Sequence, residues 1–157
     1  GGADSVDDVR GEYNAIAAMA GFSYENTGHY GWHNMADGSR EADHEAEANA
    51  GFERTRELVA GADAADLTTP FALDSDPADG VHMLILDEIL YAADRGLVAP
   101  DAVCELIESK PPKLELVVTG SHAEPTYLTD HADLISAVRK QKHPIDAGQR
   151  ARSGTEY

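Results

Sequence analysis

A short apolar run, Val81-His82-Met83-Leu84-Ile85-Leu86, ends in two adjacent carboxylates, Asp87 and Glu88. A buried strand that stops in acidic residues aims a carboxylate at the crevice beyond the sheet, where Mg²⁺ and nucleotide phosphates sit, and this is what a Walker B site requires. The same spacing also suits Asp87 capping the helix that follows. A phosphate-cradling G-x-x-x-x-G-K-[ST] loop is absent from these residues, because none of the four lysines, Lys110, Lys113, Lys140 and Lys142, follows a glycine. A basic cluster, Arg139, Lys142 and His143, stands out against a strongly acidic chain. Cations gathered against the general charge suit a bound polyanion, and equally a tail that pairs weakly with an acidic surface. Phe22 and Tyr24 lie two apart on an extended stretch, which by spacing alone points both rings into a core. His29, His33 and His44 suggest a metal site only superficially: the loop holding the first two carries Gly28 and Gly31 and lacks a helical period, and no cysteine joins the set. His82, inside the strand, reads as a core or crevice histidine.

Alternating elements must position these groups. Val9, Tyr13, Ile16 and Ala20 recur at helical spacing and Gly21 offers a stop, predicting a helix over about 7–20. Phe22 to Tyr24 is then extended, and 25–38 has loop composition rich in Gly, Asn, His and aromatics. Ser39 can cap a second helix running to about Ala60, with Ala48, Phe52 and Val59 as its apolar stripe. Residues 62–79 hold two prolines and five Asp and read as an insertion. The run 81–86 is expected to be a strand covered on both faces of a parallel sheet, followed by a helix or turn over 87–93. Asp101 is expected to cap a helix ending at Ser109 before Pro111-Pro112, with Leu114 to Thr119 the next strand. A further helix near 125–131 and a third strand, Leu134 to Val138, complete a parallel α/β pattern with right-handed crossovers.

The chain has 157 residues, 42% hydrophobic and 26% charged, which is room for one globular domain of roughly 150 residues and little else. Twelve Lys plus Arg against 29 Asp plus Glu leave a net charge of −17, which repels phosphate backbones and anionic lipid. No apolar run approaches the ~20 residues of a membrane helix. Nucleic acid and membrane are therefore not expected partners. Carboxylates crowd segments such as 41–47, where neighbours one turn apart repel unless salt screens them, so a salt-adapted cytoplasm is the expected setting. A lone Cys104 fits a reducing compartment and a packing role. The sequence opens Gly1-Gly2 without a Met, as a chain trimmed upstream would.

Several stretches resemble one family. Asp87-Glu88-Ile-Leu-Tyr91-Ala92, Val118-Thr119-Gly120, Ala132-Asp133-Leu134, the tail Arg139-Lys-Gln-Lys142-His143-Pro-Ile-Asp146-Ala-Gly148 and the closing Gly154-Thr-Glu-Tyr157 are similar to the ATP:corrinoid adenosyltransferases of the P-loop type. Upstream, Gly11-Glu12-Tyr13 and Gly21-Phe22-Ser-Tyr24-Glu25 match that family's first helix and corrinoid-facing segment. The resemblance covers nearly the whole chain except 62–79. It implies a three-layer, RecA-like parallel sheet with helices on both faces, whose N-terminal strand–P-loop–helix unit lies upstream of Gly1. It implies transfer of the 5′-deoxyadenosyl group of ATP to the cobalt of a reduced corrinoid, cobalamin or a precursor, with release of triphosphate. Glu88 would help hold Mg²⁺, supported by Asp87. Phe22 and Tyr24 would occupy the side from which the lower axial ligand of cobalt departs, and Arg139, Lys142, His143, Asp146 and Gly148 would belong to the ligand-binding tail. An electron-donating reductase and a homodimer are the implied partners. Tyr24 stands where the family commonly has Trp. Ser121 stands where it usually has Arg, so one contact is missing or supplied by His122. A non-catalytic corrinoid-binding relative and another P-loop ATPase are the competing readings.

Overall fold

The computed structural model describes residues 11–27, 41–62, 80–121 and 123–149. Four helices, α1 (Gly11–Ala17), α2 (Glu41–Gly61), α3 (Ile89–Asp94) and α4 (Pro100–Ser109), accompany two strands, β1 (Met83–Leu86) and β2 (Glu115–Val118). Short 3₁₀ turns follow at Thr126–Leu128 and Pro144–Ala147. The predicted cap Ser39, residues 7–10 and nearly all of the 62–79 segment lie outside the described residues, as do His29, His33 and His122.

Helix α2 buries His44, Phe52, Thr55 and Val59, and Ala62 just beyond its end, at the three- and four-residue steps that line one face of a helix. The polar member of that stripe is tolerated because Thr55 Oγ1 donates back to the Gly51 carbonyl at 2.9 Å. Helix α4 starts differently from expectation. Its N-cap is Ala99, Pro100 takes the first turn, and Asp101 lies inside that turn without capping it. Proline suits that position because its missing N–H is one the helix could not pair anyway, and Asp101 instead meets the positive end of the helix dipole. Val103 and Leu106 face inward from α4, and Lys110 ends it in extended conformation directly before Pro111.

β1 and β2 pair in parallel, Met83 opposite Glu115 through Leu86 opposite Val118, joined by α3 and α4 as the βαβ pattern requires. Leu84, Leu86, Leu116 and Val118 pack on a core built from Phe52, Leu90, Val98, Val103, Leu114 and Leu128. The expectation of a strand covered on both faces fails among the described residues. Met83, Ile85 and Val117 are exposed, so burial alternates along each strand instead of being continuous.

Two further expectations are corrected. The helix near 125–131 is a single 3₁₀ turn that buries Leu128. The predicted third strand is irregular chain, with Leu134 85% and Val138 99% exposed. Its composition is strand-like, but a strand exists only against a neighbour's ladder groups, and among the described residues the sheet contains only β1 and β2. The result is a mixed α/β fold with a small parallel sheet, compatible with a P-loop-like architecture. Among the described residues no helix is long and apolar enough to cross a membrane.

Candidate functional site

The parallel strands end side by side, and the residues just past them interlock. Thr119 follows β2, and its N–H donates to the Leu86 carbonyl at 3.1 Å while its own carbonyl accepts from the Leu90 N–H at 3.1 Å. Its hydroxyl donates to Asp87 Oδ1 at 2.7 Å and accepts from the Glu88 N–H at 3.0 Å. One threonine therefore fixes the backbone leaving β1, the first turn of α3 and the direction of the Asp87 carboxylate.

Glu88 sits in the left-handed region at φ 62°, alone among the described non-glycine residues. Such a conformation is costly for a residue with a Cβ and persists only where its surroundings impose it. Gly120 makes the room. Its φ is 79°, and a Cβ added there would lie 2.8 Å from Glu88 Cα and 2.9 Å from Glu88 Oε2. Asp87 does not cap α3: the N-cap position belongs to Glu88, and no side chain makes a capping bond there. Both carboxylates are exposed at the strand ends. Next to them, Ser121 Oγ lies 3.0 Å from Asp94 Oδ2 and within bonding distance of the Ala123 carbonyl, its single proton serving one acceptor at a time. Sequence reasoning found Asp87 and Glu88 but assigned no positioning role to Thr119 and Gly120. The available signal was a Thr-Gly pair directly after the second strand.

The aromatic segment occupies a different scaffold. Phe22 is 57% exposed and Tyr24 42%, so neither ring is a core residue. Tyr24 stacks on Tyr13 of α1 at 4.4 Å between centroids with 25° between planes. Glu25 is gripped by Arg54 of α2. Hydrogen bonding to Arg54 holds the Glu25 carboxyl below the usual carboxylate range, and the guanidinium is correspondingly harder to deprotonate. Because the shift is downward in the folded chain, the pair contributes at neutral pH and is lost only as acidity rises through Glu25's lowered value.

In the tail, Arg139, Lys142 and His143 are all exposed. His143 caps the 3₁₀ turn, its Nδ1 accepting from the Ile145 N–H at 3.1 Å, and Gly148 closes the turn at φ 76°. Asp146 pairs with Lys140 at 2.7 Å. These contacts give His143, Asp146 and Gly148 local structural reasons to be where they are. Among the described residues, Asp87 and Glu88 make their side-chain-mediated hydrogen bonds through Thr119 and to neither the aromatic segment nor the tail. No set of three metal-ligating side chains converges among the described residues.

The family description ATP:corrinoid adenosyltransferase BtuR/CobO/CobP matches residues 5–157. The chain is 32% identical over 77 residues to the corrinoid adenosyltransferase of Pseudomonas aeruginosa, covering 49% of this chain and 37% of that protein. It is 31% identical over 77 residues to the corrinoid adenosyltransferase CobA of Salmonella typhimurium, covering 49% and 39%. It is also 41% identical over 68 residues to an uncharacterized Nostoc sp. protein, covering 43% and 18%. The matched stretch thus spans well under half the length of these relatives. The strand-end carboxylates, the Gly21-to-Glu25 segment and the tail all fall inside the family match, and the chain belongs to the ATP:corrinoid adenosyltransferase family.

Proposed function

We propose that the full-length protein transfers the 5′-deoxyadenosyl group of ATP to the cobalt of a reduced corrinoid. The cobalt's electron pair forms the bond to C5′ as the C5′–O bond breaks, and triphosphate leaves with the electrons of that bond. The protein's share is positioning and charge neutralisation, since the nucleophile belongs to the substrate.

The observation that carries this reading is the carboxylate pair held at the C-terminal end of β1 by Thr119 and Gly120. Two adjacent, exposed, oxygen-only donors suit Mg²⁺, which keeps several waters and takes one or two carboxylates beside substrate phosphates. In this reading Glu88 would be the ligand and Asp87, oriented by Thr119, would order the metal's water shell. Bound there, Mg²⁺ would neutralise the triphosphate. Arg139 and Lys142, exposed in the tail, would add cations toward the same anion or toward the corrinoid's periphery. The exposure of Phe22 beside the Tyr13–Tyr24 stack supports a flat apolar ligand, because large rings left in water favour a planar partner. Rings on the axial side of cobalt also exclude nitrogen and water ligands, which eases reduction. The phosphate-cradling loop would come from a strand–loop–helix unit outside these 157 residues, and a cytoplasmic reductase would supply the electron.

The direct test is Glu88→Gln in the full-length protein. We expect turnover to fall on the order of 100-fold while corrinoid binding, followed by its absorbance, is retained. Loss of corrinoid binding together with turnover would assign Glu88 a structural role and remove the proposal's main support.

A further inference from the structure

The segment Phe22 to Thr27 is irregular chain, yet three contacts fix it to two helices. Tyr24 stacks on Tyr13 of α1. Glu25 receives a two-pronged grip from Arg54 of α2, Nε at 3.0 Å from Oε2 and Nη2 at 2.9 Å from Oε1, while Arg54 Nη1 is braced by Glu57 at 3.0 Å. Thr27 fills a notch at Gly51: a Cβ added to that glycine would lie 2.8 Å from Thr27 Oγ1 and 3.0 Å from both its carbons Cβ and Cγ2. A glycine in mid-helix weakens the helix, so its presence here is explained by the close approach it permits. Each contact alone is weak, since the ion pair is exposed and the ring pair partly so. Together they fix Tyr24, Glu25 and Thr27 against helical supports and leave Phe22 exposed at the near end.

From this geometry we infer that Arg54 and Gly51 of α2 are positioning residues for corrinoid: they hold the Phe22–Tyr24 rings at a fixed height and orientation without touching the ligand. The inference rests on the reading of Phe22 and Tyr24 as corrinoid-facing. A planar ligand is recognised by ring placement, and a loop that carries the rings on its own backbone freedom would lose affinity in ordering them.

Gly51→Ala separates positioning from folding, because the two effects have opposite signs. Alanine strengthens the helix, so the thermal midpoint of the full-length protein should hold or rise, while the new Cβ pushes Thr27 and the segment out of place. We expect the corrinoid KM to rise about three- to tenfold with the ATP KM unchanged within about twofold, and the electron paramagnetic resonance signal of low-coordinate cobalt to weaken. Adding Thr27→Ala, which removes Oγ1 and Cγ2 but keeps the crowded Cβ, should recover part of the loss, and Thr27→Gly more of it. Arg54→Met should give the same kinetic pattern and Arg54→Lys a milder one, since lysine keeps the charge and loses the fork. Phe22→Ala is measured alongside. If Phe22→Ala impairs corrinoid use while Gly51→Ala and Arg54→Met leave KM and the cobalt signal unchanged, the positioning inference is overturned and the site reading stands. If Phe22→Ala is itself silent, both are overturned.

Discussion

Glu88 shows how a single residue can be held in an unfavourable state by neighbours far away in sequence. Its left-handed backbone is bridged by a hydrogen bond across 31 positions to Thr119, and its side chain lies over the one residue that can lack a Cβ, Gly120. Gly120→Ala is therefore expected to destabilise the protein by about 1–3 kcal/mol, from a disfavoured φ and a backbone collision together. Turnover should fall further than stability alone explains, because Glu88 must move to make room. Urea unfolding read beside activity checks this; a variant with wild-type stability would show that the crowding relaxes freely. The carboxylates themselves were legible in the sequence, since an apolar run ending in two acids is a local pattern. Their supports were not, because Thr119 and Gly120 acquire meaning only once the strands pair. Ring exposure was likewise illegible from spacing alone: Phe22 and Tyr24 have the alternation of core residues, and it is their position in the fold, 57% and 42% exposed, that sets them outside the core.

At the scale of elements, packing decides what pattern cannot. The helices α2 and α4 and both strands were expected near where they occur, the helices from a periodic apolar face and the strands from short apolar runs. The segment 134–138 has equally apolar residues and forms no strand, since pattern proposes a strand but a neighbour's hydrogen bonds make one. This difference has an energetic counterpart. Leu114 is 1% exposed beneath the sheet, and Leu114→Ala should cost about 2–5 kcal/mol, whereas Val138→Ser should change stability by less than about 0.5 kcal/mol. Denaturant midpoints of the two variants in this chain test the contrast; a large loss from Val138→Ser would mean that residue 138 packs in solution. The start of α4 teaches a related lesson. Asp101 and Pro100 both carry helix-start signals one residue apart, and the proline's preset φ, followed by the dipole's preference for a carboxylate inside the first turn, settles the boundary.

For the molecule as a whole, the net charge of −17 dominates its response to solvent. Acidic side chains crowd α2, with Glu45, Glu47, Glu53 and Glu57 all on one helix, and the arginines Arg54 and Arg56 offset them locally through pairs with Glu25, Glu57 and Glu53. Repulsion that remains is long-ranged and is screened within about 3 Å at 1 M salt, against about 30 Å at 0.01 M. The thermal midpoint is accordingly expected to rise with potassium chloride from millimolar toward molar concentrations, a trend opposite to that of a protein held by surface pairs. A midpoint that falls across this range would remove the case for salt adaptation. The same change of solvent acts in a second way on the outer side of the sheet, where Met83, Ile85 and Val117 form a bare strip. Salting-out conditions strengthen apolar adhesion while removing the charge that keeps copies apart. The 157-residue chain should therefore be both compact and free of this self-adhesion only within a middle band of ionic strength, expanded below it and self-adhering above it, which sedimentation velocity across a salt series would reveal.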